Sequence, residues 1–415
     1  MTGASEDGGR RLGRRDLLTA ALSAGVGGAA TAGGFLAAGQ HTGDRAAPAP
    51  RPVSFHGTHQ AGITDPAPAR STLVSFDVLA ADRDELRDLL RALTDRARWL
   101  TAGGTPTDPG IEGPPADSGM LGPRVPTGPT TVTVGVGASL FDDRYGLADR
   151  RPADLRTMAA FPNDELDEAW CHGDLSVHIC APDTDTVIHA LRDLTRHTRG
   201  AMQIRWRIDG FLSPPRPSGT PRNLMGFKDG TANLDTTDRD EMRDLVWGRG
   251  PHGPQWTVGG TYQVARLIRM RLEFWDRISL SEQENIFGRR RDSGAPMDGA
   301  AEHDRPHYPT DPIGTATPLT SHIRRANPRT PASASSRLLR RPYNYDRGVD
   351  SVGDLDMGLI FLCYQRSITH QFAAVQKRLA DEPLVDYIAP FGGGYFFVLP
   401  GVRDDADHYG RGLFS

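Results

Sequence analysis

A β-strand followed by an amphipathic helix recurs along this chain, and this repeat limits the possible folds more than any other feature. Residues 71–80 alternate apolar and polar side chains, and in residues 82–100 four leucines share one face of a helix. The pair recurs at residues 174–181 with 185–199 and at residues 357–364 with 367–379, and residues 395–399 add a closing strand. Such units in both halves predict an α+β fold with two sandwiches of the split βαβ kind, each containing an antiparallel sheet.

Stretches rich in glycine and proline indicate where the chain is divided. Residues 103–129 and 248–254 have the composition of loops, and a break at residues 219–224 separates the two halves. We therefore predict a signal peptide and linker at residues 1–50, an N-terminal domain at residues 51–222 and a C-terminal domain at residues 223–415.

The first fifty residues have the pattern of a twin-arginine signal peptide. Arg14 and Arg15 precede a weakly apolar run at residues 19–38 that five glycines interrupt. A membrane anchor is the alternative, but a run with so much Gly and Ala and so little Leu or Ile makes a poor spanning helix. The sequence predicts export by the twin-arginine machinery, cleavage between residues 38 and 49, and an extracellular, periplasmic or cell-envelope location without a permanent membrane span.

Composition is that of a globular protein that is stabilised by packing. The chain has 415 residues, 38% of them hydrophobic, and a formal net charge of -4, with no basic stripe of the kind that binds nucleic acid. Its three cysteines cannot all pair, and Cys180 and Cys363 lie in apolar, strand-like runs. We expect buried thiols and no disulfide framework.

Two motifs about ninety residues apart bring together the chemistry of a redox site. Residues 226–230 (GFKDG), followed by TAN, hold a carboxylate in a tight glycine turn, and residues 321–329 (SHIRRANPR) supply a histidine followed by arginines. Residues 337–341 (RLLRR) follow. Either motif alone is typical of an ordinary turn or a surface histidine. Together they supply a carboxylate in a tight turn and a histidine followed by arginines, which are the groups that a haem peroxidase needs.

These motifs resemble the dye-decolourising peroxidase family, and the likeness is closest to its exported branch, described as deferrochelatase/peroxidase. The resemblance extends from about Phe55 to the C-terminus. It implies duplicated ferredoxin-like domains with one haem b in the C-terminal half, which agrees with the strand and helix repeats. The other segments that resemble the family are residues 55–63 (FHGTHQAGI), 133–141 (TVGVGASLF), 172–175 (HGDL) and 355–365 (LDMGLIFLCYQ).

An acid and an arginine are the candidates for the groups that act on peroxide at the distal face of the haem. Asp229 is the candidate that moves a proton between the oxygens of hydrogen peroxide, and its glycine neighbours let the backbone approach a porphyrin. Arg340 matches the distal arginine of the family, with a fixed charge that orients peroxide and stabilises the leaving hydroxide. Arg337 and Arg341 are alternatives for this role. Pro342 stands where the family pattern has glycine.

The iron ligand on the proximal side is predicted to be His322, bonding through one ring nitrogen. The other nitrogen needs an acceptor, for which Asp356 is the candidate. By resemblance, Gly230 and Thr231 line the distal haem face beside Asp229. Arg329 or Arg324 would face a propionate, because the guanidinium fork suits a carboxylate. Also by resemblance, the haem edge would be lined by Asn327, Pro328 and Arg329.

The predicted function is an exported haem b peroxidase that oxidises aromatic or dye-like reductants with hydrogen peroxide. One alternative is a deferrochelatase, which releases iron from haem and leaves the porphyrin intact; another is a non-catalytic haem carrier of an iron-uptake system. His303 and His307 have helical spacing for a metal, but neighbouring prolines favour a loop. The roles of His56 and His59, and assembly into a homo-oligomer, are left open.

Overall fold

The computed structural model of the protein describes residues 51–248 and 253–415, so the predicted twin-arginine segment lies outside the described residues. Nine strands and eight α-helices are found in these ranges. The strands are β1 Arg70–Val78, β2 Thr131–Gly137, β3 Leu175–Ala181, β4 Met202–Phe211, β5 Thr261–Met270, β6 Leu339–Arg340, β7 Tyr343–Val349, β8 Leu355–Gln365 and β9 Ile388–Val398. The helices are α1 Arg83–Ala102, α2 Thr184–His197, α3 Arg239–Leu245, α4 Leu272–Trp275, α5 Leu280–Phe287, α6 His322–Ala326, α7 Pro331–Ala334 and α8 Ala373–Leu379, which a π-helical turn at Ile368–Phe372 precedes.

The first strand and helix form where the sequence places them. Asp82 caps α1 by accepting hydrogen bonds from the backbone nitrogens of Asp84 and Glu85, both at 2.9 Å. The predicted leucine face is buried. It packs over β1 and its neighbours in one hydrophobic cluster, as expected for a helical layer on one side of a sheet.

Every ladder that joins two of the named strands is antiparallel. The N-terminal half contributes the order β2-β3-β1-β4, and the C-terminal half has β9-β5-β8-β7. The β2–β9 and β4–β7 pairings join the two halves, so that hydrogen bonding runs round a closed circuit of eight strands. The α+β class with antiparallel sheets is confirmed, but two separate sheets were expected and one continuous sheet is found. The domain limits at residue 222 stay a prediction.

Strand alternation gives β8 two different faces. Ile360 and Leu362 point into an apolar core between the two halves of the sheet, where they meet Leu73 and Trp206. The residues that alternate with them on β8, Leu359 and Phe361, line a cavity on the other side. The strand thus forms one wall of the candidate site.

The expectation that the cysteines are buried thiols is confirmed. Cys171, Cys180 and Cys363 are all free and buried. In the described ranges, no helix has both the length and the hydropathy needed to cross a membrane.

Candidate active site

A cavity of about 250 Å³ lies between β8, α6, α8 and the turn that contains Asp229. Most of the predicted site residues meet there: Asp229, Gly230, Thr231, His322, Asn327, Arg329 and Arg340 all line it. Its apolar walls include Phe227, Met270, Phe287, Leu359, Phe361 and Phe372. A larger surface depression of about 730 Å³ lies near the C-terminus, and it contains none of the predicted site residues.

The turn at residues 226–230 is built as the sequence predicts. Gly226 and Gly230 have φ values of 87° and 127°, a conformation that other residues seldom adopt. Phe227 anchors the turn by stacking on Phe287, with ring centroids 4.1 Å apart. The Asp229 backbone nitrogen donates to the Pro221 carbonyl oxygen at 3.0 Å. This short hairpin fixes the position of Asp229 at the cavity wall.

A side chain from the same loop clamps Arg340. Asn233 donates from Nδ2 to the Arg340 carbonyl oxygen at 2.7 Å and accepts from the Arg340 backbone nitrogen at 2.8 Å. On its other edge, the two-residue strand β6 pairs Arg340 with Cys363 of β8. The Asn233 amide therefore acts as a second strand partner, which was not predicted from the sequence.

Asp229 and Arg340, which both line the cavity, form an ion pair. The Arg340 Nη1 atom donates to Oδ1 of Asp229 at 2.6 Å, and the two side chains remain 25% and 15% exposed. Among the described residues no other side chain bonds the Asp229 carboxylate, so its Oδ2 atom is available to a ligand. A proton acceptor thus lies beside a fixed positive charge.

His322 is the first residue of α6 and faces the same cavity. Its Nδ1 atom lies 2.8 and 3.0 Å from the two carboxylate oxygens of Glu382. Burial acts to lower the pKa of His322, but the Glu382 carboxylate outweighs it and the pKa is raised. Within the described part of the chain, Nε2 has no hydrogen-bond partner. The imidazole is held by one nitrogen and free at the other, as an axial ligand requires.

The prediction that Asp356 accepts from His322 is wrong. Asp356 forms an ion pair with Arg347 at 3.0 Å, and it does not line the cavity. Glu382 comes instead from the loop after α8, immediately before a 3₁₀ turn at Pro383–Tyr387. Only 3% of the Glu382 side chain is exposed. An acid followed by proline at a helix end carries no sequence signal for this role, because α8 and α6 meet only through tertiary packing.

In the part of the chain that the structure describes, some of the arginines that line the cavity form ion pairs with carboxylates, and others do not. Arg266 and Arg337 have carboxylate partners in Asp164 and Glu241. Across the described residues, Arg289 and Arg329 form no ion pair with a carboxylate. Arg289 is buried and bonds two backbone carbonyls, and the Nε atom of Arg329 is buried without a partner. Burial raises the pKa of the neighbouring Tyr308 hydroxyl to about 12, although the positive charges of Arg329 and Arg289 act to lower that pKa. Two guanidinium groups therefore remain for anionic groups of a ligand.

The remaining predicted arginines lie elsewhere. Arg324 bonds Asp311 at 2.9 Å and does not line the cavity, so Arg329 is the better candidate for a propionate. Arg341 faces the opposite side of β6 and donates to the carbonyl oxygens of Asp65 and Pro66. Of the two alternatives to Arg340, only Arg337 reaches the cavity.

Two prolines in the predicted segments lie outside the cavity lining. Pro328 was expected along the haem edge, but it does not line the cavity. Pro342 occupies the short break between β6 and β7, where no strand hydrogen bond is needed from it. It therefore leaves the position of Arg340 intact.

The other histidines considered from the sequence do not line this cavity. His303 and His307 lie in a loop, as predicted, each 72% exposed. His59 stacks on Trp247 with ring centroids 3.7 Å apart, and burial lowers its pKa. His56 accepts from Arg98 at 3.1 Å. In the described ranges no cluster of side chains suits a directly bound metal ion.

Comparison with known proteins identifies the family. Residues 60–212 match the family described as Dyp-type peroxidase, N-terminal, and residues 220–403 match Dyp-type peroxidase, C-terminal. The chain belongs to the dye-decolourising peroxidase family. It is a haem-dependent peroxidase with the α+β fold of that family.

Relatives in this family are similar over most of their length. The chain is 50% identical to a deferrochelatase of Escherichia coli K12 over 365 residues, 86% of each protein. A DyP-type peroxidase from Cellulomonas bogoriensis superimposes with a TM-score of 0.79 at 38% identity, covering 89% of this chain and 100% of the other. Ferric DtpA from Streptomyces lividans gives a TM-score of 0.80 at 36% identity, covering 88% and 98%.

The cavity of this dye-decolourising peroxidase fits haem b by charge as well as by donor set. Haem carries two propionates, and the cavity offers two guanidinium groups, Arg289 and Arg329, that pair with no carboxylate among residues 51–248 and 253–415. His322 presents a free ring nitrogen backed by a buried carboxylate, the arrangement that tunes an axial histidine. Aromatic and aliphatic walls suit the porphyrin faces. These residues would hold the cofactor.

Proposed function

We propose that this peroxidase reduces hydrogen peroxide and oxidises aromatic or dye-like compounds, one electron at a time. The observation that supports this most is the Asp229–Arg340 ion pair on a cavity that also presents His322 backed by Glu382. In this proposal Asp229 supplies acid–base chemistry, Arg340 supplies a fixed charge and His322 is the axial ligand.

Each of these side chains has a separate role in the proposed mechanism. His322, Arg289 and Arg329 would hold haem, which would supply the iron and its redox chemistry. Asp229 takes a proton from one peroxide oxygen at its free Oδ2 atom and returns it to the other oxygen, so that water leaves. Arg340 holds the peroxide and stabilises negative charge on the departing oxygen. Glu382 accepts from Nδ1 of His322 and fixes the orientation of the ring.

An optical spectrum before and after peroxide tests this proposal. Purified protein loaded with haem should show a Soret band that peroxide shifts, and an added phenol or dye should restore the first spectrum while it is oxidised. A Soret band that peroxide leaves unchanged, with no oxidised product, would contradict peroxidase activity and leave binding of haem as the function.

Release of iron from haem is a second candidate function. Support comes from the deferrochelatase of Escherichia coli K12, which is 50% identical over 86% of this chain. The two activities use the same cavity and differ in product. Incubation with haem and a reductant, followed by chromatography, should yield metal-free protoporphyrin if the protein is a deferrochelatase. Intact haem together with oxidised dye indicates peroxidase activity alone.

Export by the twin-arginine route is also proposed, from Arg14, Arg15 and the weakly apolar run after them. This route carries folded proteins, which would let haem be inserted before export. Replacing both arginines by lysine should leave the precursor in the cytoplasm. Normal delivery of the double variant outside the cytoplasm would rule the route out.

A further inference from the structure

A buried ion pair behind the catalytic turn suggests a further positioning element. Lys228, the residue before Asp229, forms an ion pair with Glu302, and the two side chains are only 6% and 10% exposed. Thr231 donates to the same carboxylate from its hydroxyl at 3.1 Å, and Thr220 donates from its backbone nitrogen at 3.2 Å. Glu302 thus receives bonds from both sides of the turn that carries Asp229.

Two glycines, Gly219 and Gly294, leave the space that the Lys228 and Glu302 side chains occupy. A Cβ atom on Gly219 would collide with the Glu302 carboxylate, and a Cβ atom on Gly294 would lie 2.6 Å from Cδ of Lys228. Lys228 also donates to the Ser218 carbonyl oxygen at 3.0 Å. Burying two charges is unfavourable unless the geometry is good and the remaining donors and acceptors are satisfied. Here the Lys228 ammonium has two acceptors, and both carboxylate oxygens of Glu302 accept hydrogen bonds, as expected for a fixed anchor.

Glu302 also connects the turn to the cationic side of the cavity. Its carbonyl oxygen accepts from Arg289 at 2.9 Å, and Arg289 is one of the two cavity-lining arginines that form no ion pair with a carboxylate in the described structure. One residue therefore bonds the distal turn through its side chain and a candidate propionate-binding arginine through its backbone.

We propose that Lys228 and Glu302 are positioning residues that hold the 226–231 turn against Arg340 and set the electrostatic field in which Asp229 works. This deepens the proposed peroxidase function and rests on it. The charged or titratable groups that line the cavity with Asp229 are Lys228, Arg266, Arg289, His322, Arg329, Arg337, Arg340 and Glu382, and Glu302 lies behind the turn. Removing one member of the pair changes the net charge behind the turn by one unit, and the sign depends on which member is removed.

The first test is the pH dependence of the reaction of haem-loaded protein with peroxide, measured by stopped flow. In Glu302→Gln a positive charge remains unpaired beside Asp229, so the pH below which the rate falls should move down by roughly half a unit or more. In Lys228→Met a negative charge remains, so that pH should move up by a similar amount. A purely structural role predicts slower reaction without opposite shifts.

A matched control is the ion pair between Arg96 and Asp193, which is 2.7 Å long, has an acid only 2% exposed, and lies between α1 and α2. Asp193→Asn removes a buried charge of the same kind at a distant site. It should reduce stability and leave the pH profile unchanged. An equal shift in this control would mean that the effect comes from general loosening.

A second readout uses protein without haem, so that it does not depend on the role of Asp229. Hydrogen exchange of the Phe227 and Asp229 amides should be roughly tenfold faster in both Lys228→Met and Glu302→Gln than in the parent, with β1 unchanged. Unchanged exchange in both variants, or pH shifts of the same sign, would overturn the proposal. If Asp229→Asn reacts like the parent while exchange does become faster, the catalytic role of Asp229 fails and the anchor stands.

Discussion

The bond between Glu382 and His322 supports a quantitative prediction for haem affinity. Glu382→Gln keeps the shape of the side chain and one acceptor oxygen but removes its charge. The structure shows two contacts, at 2.8 and 3.0 Å, from a carboxylate that is 3% exposed. A hydrogen bond to a charged group contributes about 1.5–3 kcal/mol, and a neutral bond contributes about 0.5–1.5 kcal/mol.

The difference, about 1.5 kcal/mol, corresponds to roughly tenfold weaker haem binding. This lies at the lower end of the ~10- to 100-fold loss that is usual when the partner of a metal-bound histidine is removed. The reduction potential of bound haem should also rise, because an uncharged partner makes the imidazole a poorer electron donor.

The assay is titration of the apo-protein with haem, followed by Soret absorbance, with Asp356→Asn as the control. Asp356 pairs with Arg347 outside the cavity, so its variant should bind haem like the parent. Normal haem binding and an unchanged reduction potential in Glu382→Gln would show that Glu382 does not support the iron ligand. Weaker binding by Asp356→Asn than by Glu382→Gln would contradict the assignment of Glu382 as the partner of His322.

Three further predictions concern the distal pair, the anchor and the cysteines. Asp229→Asn should slow the reaction with peroxide ~100- to 10,000-fold and flatten its pH dependence, whereas Arg340→Leu should slow it at every pH; stopped-flow mixing across pH distinguishes them. Burial raises the pKa of Glu302, but the bonds from Lys228 and the two threonines outweigh it and lower that pKa to about 2. Its contribution to stability is therefore present above its ordinary pKa and is lost as the pH falls toward about 2, so the difference in urea unfolding between parent and Glu302→Gln should shrink from about pH 5 downward. All three thiols are buried and unpaired, so a thiol reagent should modify none of them in the native protein and all three after unfolding, without a reductant.

Local patterns in the sequence predicted the elements that local forces determine. The leucine face of α1 and its Asp82 cap need only helical spacing and one side-chain acceptor, and both are found. Positive φ at Gly226 and Gly230 follows from the tight turn. These features were predictable because each depends on neighbours a few residues away.

Contacts between distant segments were not predictable in this way. The closed circuit of strands depends on the β2–β9 and β4–β7 pairings. The sequences of these strands do not indicate which strands they pair with. Glu382 contacts His322 across sixty positions of the chain. Asp356, the predicted acceptor for His322, pairs with Arg347 instead. The hydrogen bonds between Asn233 and Arg340 span an even longer gap, 107 positions. Such partners are selected by tertiary packing, which leaves no periodic signal.

Haem binding by His322→Ala is the decisive measurement of which residue ligates the iron. The purified variant should lose most of its haem or hold it with an altered Soret spectrum. Added imidazole should restore the parent spectrum in part, because the cavity and Glu382 remain. Haem content and spectrum equal to those of the parent would show that His322 is not the iron ligand and would direct attention to His303 or His307, which lie in an exposed loop.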